Sequence, residues 1–311
     1  MCSIPSRGCF RVRLRASFAA LLLIQSSIGV CAEECLPKIV DRVPIGRLAF
    51  VTSKGFGGEG TIIVTGETTK TFEGNQPAFT PDGNRLLFAH HLVHHSAVHI
   101  CSLSNASRRV IKGNGQDWES PSLSPSGEKL LFVVWSEGRK TSHIGVCDVN
   151  NHEDVKLLTS GDHYDWSPRW SNDGNKIVFE STRDGERQIY VMEVSGQHQM
   201  NLSGDGYLSH APCFSPDGKR IAYMSAPQGQ CRSIYVMNAD GSQKTNISRA
   251  KTRDSEPVWS PDGEWIAFTR TQAGERAGGM DIWVMRSDGS DQKELTHNPL
   301  DISSYAPAWA R

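Results

Sequence analysis

The chain has 311 residues, 38 % of them hydrophobic, and sets 33 basic against 34 acidic side chains for a net charge of −1. That length is enough to bury a sizeable core. The charge balance excludes the electrostatic footprint of a nucleic-acid binder, and no basic amphipathic stretch marks a membrane-surface protein.

In chain order, residues 1–32 read as a secretory signal peptide. Arg7, Arg11, Arg13 and Arg15 form a basic start without an acid, Ala16 to Ile24 is a short apolar core, and Val30-Cys31-Ala32 fits cleavage before Glu33. The apolar run is too short to span a bilayer. Acylation of Cys31, which would make the chain a lipoprotein, is the alternative; Val30 stands where a small residue is expected. Without its four leader arginines the chain keeps 29 basic and 34 acidic residues, a net charge of −5. The expected location is therefore periplasmic or secreted, with residues 33–44 as a short linker and 45–311 as the folded domain.

From residue 46 onward the sequence repeats. Gly46-Arg47-Leu48-Ala49-Phe50 reads as a second strand with no first strand before it, and Thr61 to Val64 and Thr68 to Phe72 read as a third and a fourth. Next comes the phrase Phe79-Thr80-Pro81-Asp82-Gly83, which returns around Gly127, Gly174, Gly218 and Gly263, at intervals of 44, 47, 44 and 45 residues. Each repeat opens on a proline (Pro77, Pro121, Pro168, Pro212, Pro257, Pro307), which suits the first residue of a strand because proline has no N–H to give. The Asp-Gly pair predicts a tight hairpin turn into a second apolar strand. A third strand follows, plainest in Ile189 to Met192, Ile234 to Met237 and Ile282 to Met285, and a fourth ends at Leu-Thr or Leu-Ser. Four antiparallel strands per repeat of about 45 residues make the blade of a β-propeller. Tyr305-Ala306-Pro307-Ala308-Trp309 is a first strand with nothing after it. Joined to the orphan strands after residue 46, it completes a shared closing blade, and the count is six.

Pro257-Val258-Trp259-Ser260-Pro261-Asp262-Gly263, with Ile282 to Met285 and Ser287-Asp288-Gly289-Ser290, resembles the WD-like repeat of TolB-type propellers. The resemblance runs from about residue 45 to the end. It implies a six-bladed propeller and a docking role in the cell envelope. TolB itself carries an α/β domain ahead of its propeller, whereas only about a dozen residues here separate the signal peptide from the first strand, so the resemblance covers the propeller alone. The repeats are also similar to those that precede the catalytic domain of prolyl-oligopeptidase-type peptidases.

Candidate chemistry is sparse. Eleven histidines include His90, His91, His94, His95 and His99 in and beside one loop of the first full repeat, with His143, His163, His210 and His297 expected on the same face. Imidazole suits zinc, copper or nickel, but no His-Glu-x-x-His or Cys-x-x-Cys spacing supports a closed site, so no metal and no cofactor is expected. Five cysteines follow the leader, an odd number on strand positions, and only Cys213 and Cys231 are a candidate disulfide. No Gly-x-Ser-x-Gly elbow occurs.

The residues just before each blade-opening proline should approach the propeller axis. Trp118, Glu119, Asp165, Trp166, His210, Asp254 and Tyr305 are therefore the expected binding residues of an axial funnel. The reading is a non-catalytic scaffold for a protein or peptide. The alternative is a glycan-binding or glycan-cleaving propeller, a hydrolase or lyase using Asp165, His210 and Asp254, with the two aspartates as an acid/base pair.

Overall fold

The computed structural model describes residues 38–39, 46–54, 60–66, 69–91, 96–105, 107–111, 116–204, 206–249, 251–271, 279–299 and 302–310. The expected signal peptide and Cys35 lie outside them, as do His94 and His95.

Six four-stranded antiparallel meanders are present, each ordered first to fourth strand from the inside out. Blade I comprises Asn75–Phe79, Arg85–His91, Ser96–Ser102 and Arg108–Ile111. Blade II comprises Trp118–Leu123, Lys129–Trp135, Ser142–Asp148 and Lys156–Leu157. Blade III runs from Asp165–Trp170 through Lys176–Ser181 and Gln188–Glu193 to Met200–Asn201. Blade IV holds Leu208–Phe214, Arg220–Ala226, Ser233–Asn238 and Thr245–Asn246; blade V holds Asp254–Trp259, Trp265–Thr271, Met280–Arg286 and Lys293–Glu294. In blade VI the C-terminal Ile302–Ala310 is the inner strand, paired to Arg47–Lys54, then Thr61–Val64 and Lys70–Glu73. The closing blade is shared between the two ends of the domain, as the orphan strands predict. One short pair, Lys38–Ile39 with Thr296–His297, lies outside the blades.

Side chains alternate along each strand, and both faces of every blade are covered, so the second strands are nearly continuous apolar runs. The buried apolar side chains separate into six clusters, one per seam between neighbouring blades. In blade III, Ile177 and Phe179 pack toward blade II while Val178 packs toward blade IV. Each blade thus buries its faces only against its neighbours.

The Asp-Gly turns are longer than the expected two-residue hairpin. Ser215 N–H bonds the Arg220 carbonyl at 2.8 Å, leaving a four-residue loop in which Gly218 has φ 70°. The aspartate keeps an ordinary backbone and works through its side chain. Asp217 accepts the Ser215 hydroxyl at 2.6 Å and the Lys219 N–H at 3.1 Å, and these bonds hold its carboxyl below the usual carboxylate range. The same bonds recur at Asp82 and Asp173. Ser-Pro-Asp-Gly is therefore a side-chain-locked loop, a stronger constraint than a turn propensity.

Cys101, Cys147, Cys213 and Cys231 are all free. Cys213 pairs with Ala222 near the turn between the first two strands of its blade, whereas Cys231 lies between the second and third strands, at the other end. That separation is why the candidate disulfide does not form.

Candidate functional site: the axial channel

Every inner strand carries one extra residue. Cross-strand pairing slips by one at the same place in all six blades: Trp166 faces Glu180, but Arg169 faces Val178, and the other five repeat the slip. The residue before the proline takes a left-handed backbone each time: Gln76, Ser120, Ser167, Ala211, Glu256 and Ala306 have φ between 49° and 55°. None is glycine, so six unfavourable conformations are held by the surrounding ladder. These β-bulges turn the chain and aim its side chains at the axis.

The bulge sorts neighbouring residues into three environments. The position two before the bulge residue is buried in every blade: Gly74, Trp118, Asp165, Ser209, Asp254 and Ser304. The next position is half-buried in every blade: Asn75, Glu119, Trp166, His210, Ser255 and Tyr305. The bulge residues themselves line a cavity of about 350 Å³ on the axis. A second cavity of about 450 Å³ lies toward the Ser-Pro-Asp-Gly loops, walled by Trp170, Trp259 and Trp309.

The seven residues expected at the funnel therefore separate. Trp118 is in the seam between blades I and II, stacked on Phe132 with ring centres 3.8 Å apart. Asp254 is fully buried and accepts two bonds from Arg270, at 2.7 and 2.8 Å; Arg270 also donates to Gln292 at 3.0 Å and lies over the Phe268 and Trp283 rings. Asp165, equally buried, meets Arg183 at 3.3 Å, His163 at 3.4 Å and His143 at 3.8 Å. Burial pushes the His143 imidazole below its ordinary pKa, with Asp165 opposing and His163 reinforcing that shift.

Glu119, Trp166, His210 and Tyr305 remain half-buried at the start of the inner strands. Glu119 pairs with Arg139, whose guanidinium lies 4.5 Å from the centre of the Trp135 ring. Trp166 stacks on Tyr164 with centres 5.1 Å apart and planes 6° from parallel, and Arg187 lies 4.2 Å from its ring centre. The Tyr305 hydroxyl reaches Asn75 Oδ1 at 3.4 Å. His210 is held below its ordinary pKa by burial, against the opposing pull of Glu180 and Glu256. None of the seven lines either axial cavity.

What the proline rule missed is the bulge residue itself and the position after the proline. Gln76 Oε1 accepts the Ser120 N–H of the next blade at 2.7 Å. Glu256 accepts the Ala306 N–H at 2.8 Å and the Thr269 hydroxyl at 2.9 Å. Glu180 accepts the Ala211 N–H at 2.8 Å and pairs with Arg187 at 3.3 Å. Three bulge N–H groups are thus satisfied by acceptors on the preceding blade, which ties the ring together. After the prolines stand Ala78, Ser122, Arg169, Cys213, Val258 and Ala308, all lining the cavity. Only Arg169 is charged.

Around the histidine loop, His90 packs on His99 with ring centres 5.2 Å apart; the His91 side chain, His94 and His95 are outside the described residues. Among the described residues no group of three or more histidine, cysteine or acidic side chains could hold a metal ion, and no helix is long and apolar enough to cross a membrane.

A family model described as the TolB beta propeller domain matches residues 74–209 and 198–310. A protein TolB homolog of Chlorobium chlorochromatii is 32 % identical over 162 residues, 52 % of this chain and 35 % of that protein. The chain thus spans about a third of the length of that relative. Among solved structures, TolB from Acinetobacter baumannii superposes with a TM-score of 0.73 at 22 % identity, over 93 % of this chain and 71 % of that one. An oligogalacturonate lyase from Vibrio parahaemolyticus superposes with a TM-score of 0.56 at 13 % identity, over 77 % and 72 % of the two chains. At these identities the structural likeness shows the fold alone.

Proposed function

The chain belongs to the TolB beta propeller domain family, and from that premise we propose that it is an exported, non-catalytic scaffold that grips a protein segment in its axial channel. Export rests on the leader-like composition of residues 1–32 and places the protein in the periplasm or outside the cell. The observation that carries the binding role is the ring of six bulges. All six inner strands spend an unfavourable backbone conformation at the same position, and the product is one lined channel. Strain repeated at a single ring of residues is a mark of a functional surface. Half-buried Trp166 and Tyr305, each one residue before the bulge of its inner strand, add the residue types that dominate binding when a partner covers them.

The glycan-cleaving alternative rests on Asp165 and Asp254 as a free acid/base pair. Each is fully buried and held by its own arginine in a separate blade, which removes the support that pair would lend.

Site-specific photocrosslinking tests the reading. A photoreactive residue at Leu123, on the channel wall, is expected to give protein adducts in envelope extract. The same residue at Met200, exposed on the outer edge of blade III, is expected to give none. Adducts from Met200 with none from Leu123 would overturn the channel as the binding surface.

A further inference from the structure

The channel wall is neutral at five of the six positions that follow the blade-opening prolines and cationic at one. Arg169 is half-buried there, and among the described residues its guanidinium donates from Nη1 to the Pro168 carbonyl at 3.3 Å. The other arginines near the axis are engaged: Arg139 with Asp117 and Glu119, Arg183 with Asp165, Arg187 with Glu180, Arg270 with Asp254. Arg169 has no carboxylate within ion-pair distance among the described residues. Two carboxylates feel its charge: Glu180 spends one oxygen on the Ala211 N–H and the other on Arg187, while Glu256, on the wall of the same cavity, accepts the Ala306 N–H and the Thr269 hydroxyl through Oε2.

A guanidinium has five N–H donors in a planar fork, a shape that matches a carboxylate through two parallel bonds. Leaving such a group unpaired in a lined cavity is costly, and burial accordingly pulls the Arg169 pKa down. A bound carboxylate would remove that cost and gain charge-assisted bonds at once.

We propose that Arg169 is the anchor for one carboxylate of a peptide held in the axial channel, either the α-carboxylate of a chain end or an acidic side chain. This rests on the reading that the channel is the binding site. The neighbouring wall fits such a ligand: Ser120, Ser122 and Ser167 offer hydroxyls, Ala211 offers little bulk, and the cavity of about 350 Å³ is within the range of small-ligand sites.

Calorimetric titration of the full-length protein tests it with four probes: the tripeptide Gly-Gly-Phe, its C-terminal amide, N-acetyl-aspartate amide and digalacturonate. Gly-Gly-Phe or N-acetyl-aspartate amide is expected to bind at least about tenfold more tightly than Gly-Gly-Phe amide, and which of the two does so identifies the source of the carboxylate. Arg169→Gln should erase that preference and Arg169→Lys should keep part of it, with melting curves showing that both variants fold. Equal binding of acid and amide, no binding by either peptide acid at about 10 mM, or a preference that survives Arg169→Gln would overturn the proposal. Digalacturonate bound through Arg169 while both peptides fail would overturn the peptide as its source. Leu123 crosslinks that form undiminished in Arg169→Gln would sink this inference and leave the channel reading standing.

Discussion

The seams between blades and the channel at their centre use the same charged residue types to opposite ends. In the seams, Asp254 and Arg270 neutralise each other in full burial, with Gln292 and two aromatic rings completing the cage. In the channel, four residues along an equivalent inner strand from Asp165, Arg169 has no such partner. A few residues of register separate a charge that holds blades together from a charge left facing a cavity. The difference teaches that position relative to the bulge, more than residue type, decides whether a polar group on an inner strand is structural.

Removing the strand that closes the ring is the most severe way to probe the seams. Deletion of Tyr305 to Arg311 takes Ala308 and Trp309 out of the two clusters that flank blade VI. Loss of cooperative thermal unfolding is expected, because a ring opened at one blade exposes an edge on each side. A truncated protein that melts within about a degree or two of the full chain would break the shared-blade assignment.

Next in size is the charge cage. Asp254→Ala leaves Arg270 buried without its anion and should cost about 3–5 kcal/mol in urea unfolding. A loss below about 1 kcal/mol would show that the seam does not depend on the pair. At the opposite pole, Arg169→Gln removes a charge with no partner, and the melting temperature should stay level or rise. A marked fall would mean that the channel arginine serves the fold.

Smaller, and sharper as a comparison, is pH. His143 in the seam between blades II and III and His210 on the inner strand of blade IV are both held below their ordinary pKa by burial. A histidine depressed in the folded state lets the unfolded chain bind more protons first. Stability should therefore fall as the pH drops below about 6.5, through the unfolded value toward the folded one. Melting temperatures across that window should lose part of their slope in His143→Gln and another part in His210→Gln. A slope unchanged in both variants would remove burial of these rings as its cause.

Much of this was readable from a phrase of five residues. Repetition of Ser-Pro-Asp-Gly and the prolines before it marked six inner strands, and the orphan strands at either end marked the shared blade. The side-chain lock at Asp217 was not readable, because a propensity for Asp-Gly turns does not say whether the aspartate acts through backbone or carboxylate. The seven residues expected at the funnel stand on the inner strands one or two positions before the bulge residues that line the cavity. Trp118 and Asp165 look like binding residues on type alone, and nothing local reveals that an inner-strand bulge turns the following residue to the axis instead. Arg169 left a signal that a column of aligned repeats exposes: the lone charge among Ala78, Ser122, Cys213, Val258 and Ala308.

By itself the sequence determined the blade, its count and its closure, because hydrophobic alternation and turn chemistry are local and the period repeats them six times. The tertiary structure alone decided which polar residues are clamps and which are exposed to the channel. That choice depends on a bulge and on partners far along the chain, 50 residues for Glu256 with Ala306 and 16 for Asp254 with Arg270. Such pairings follow from how blades meet around an axis, which no single repeat encodes.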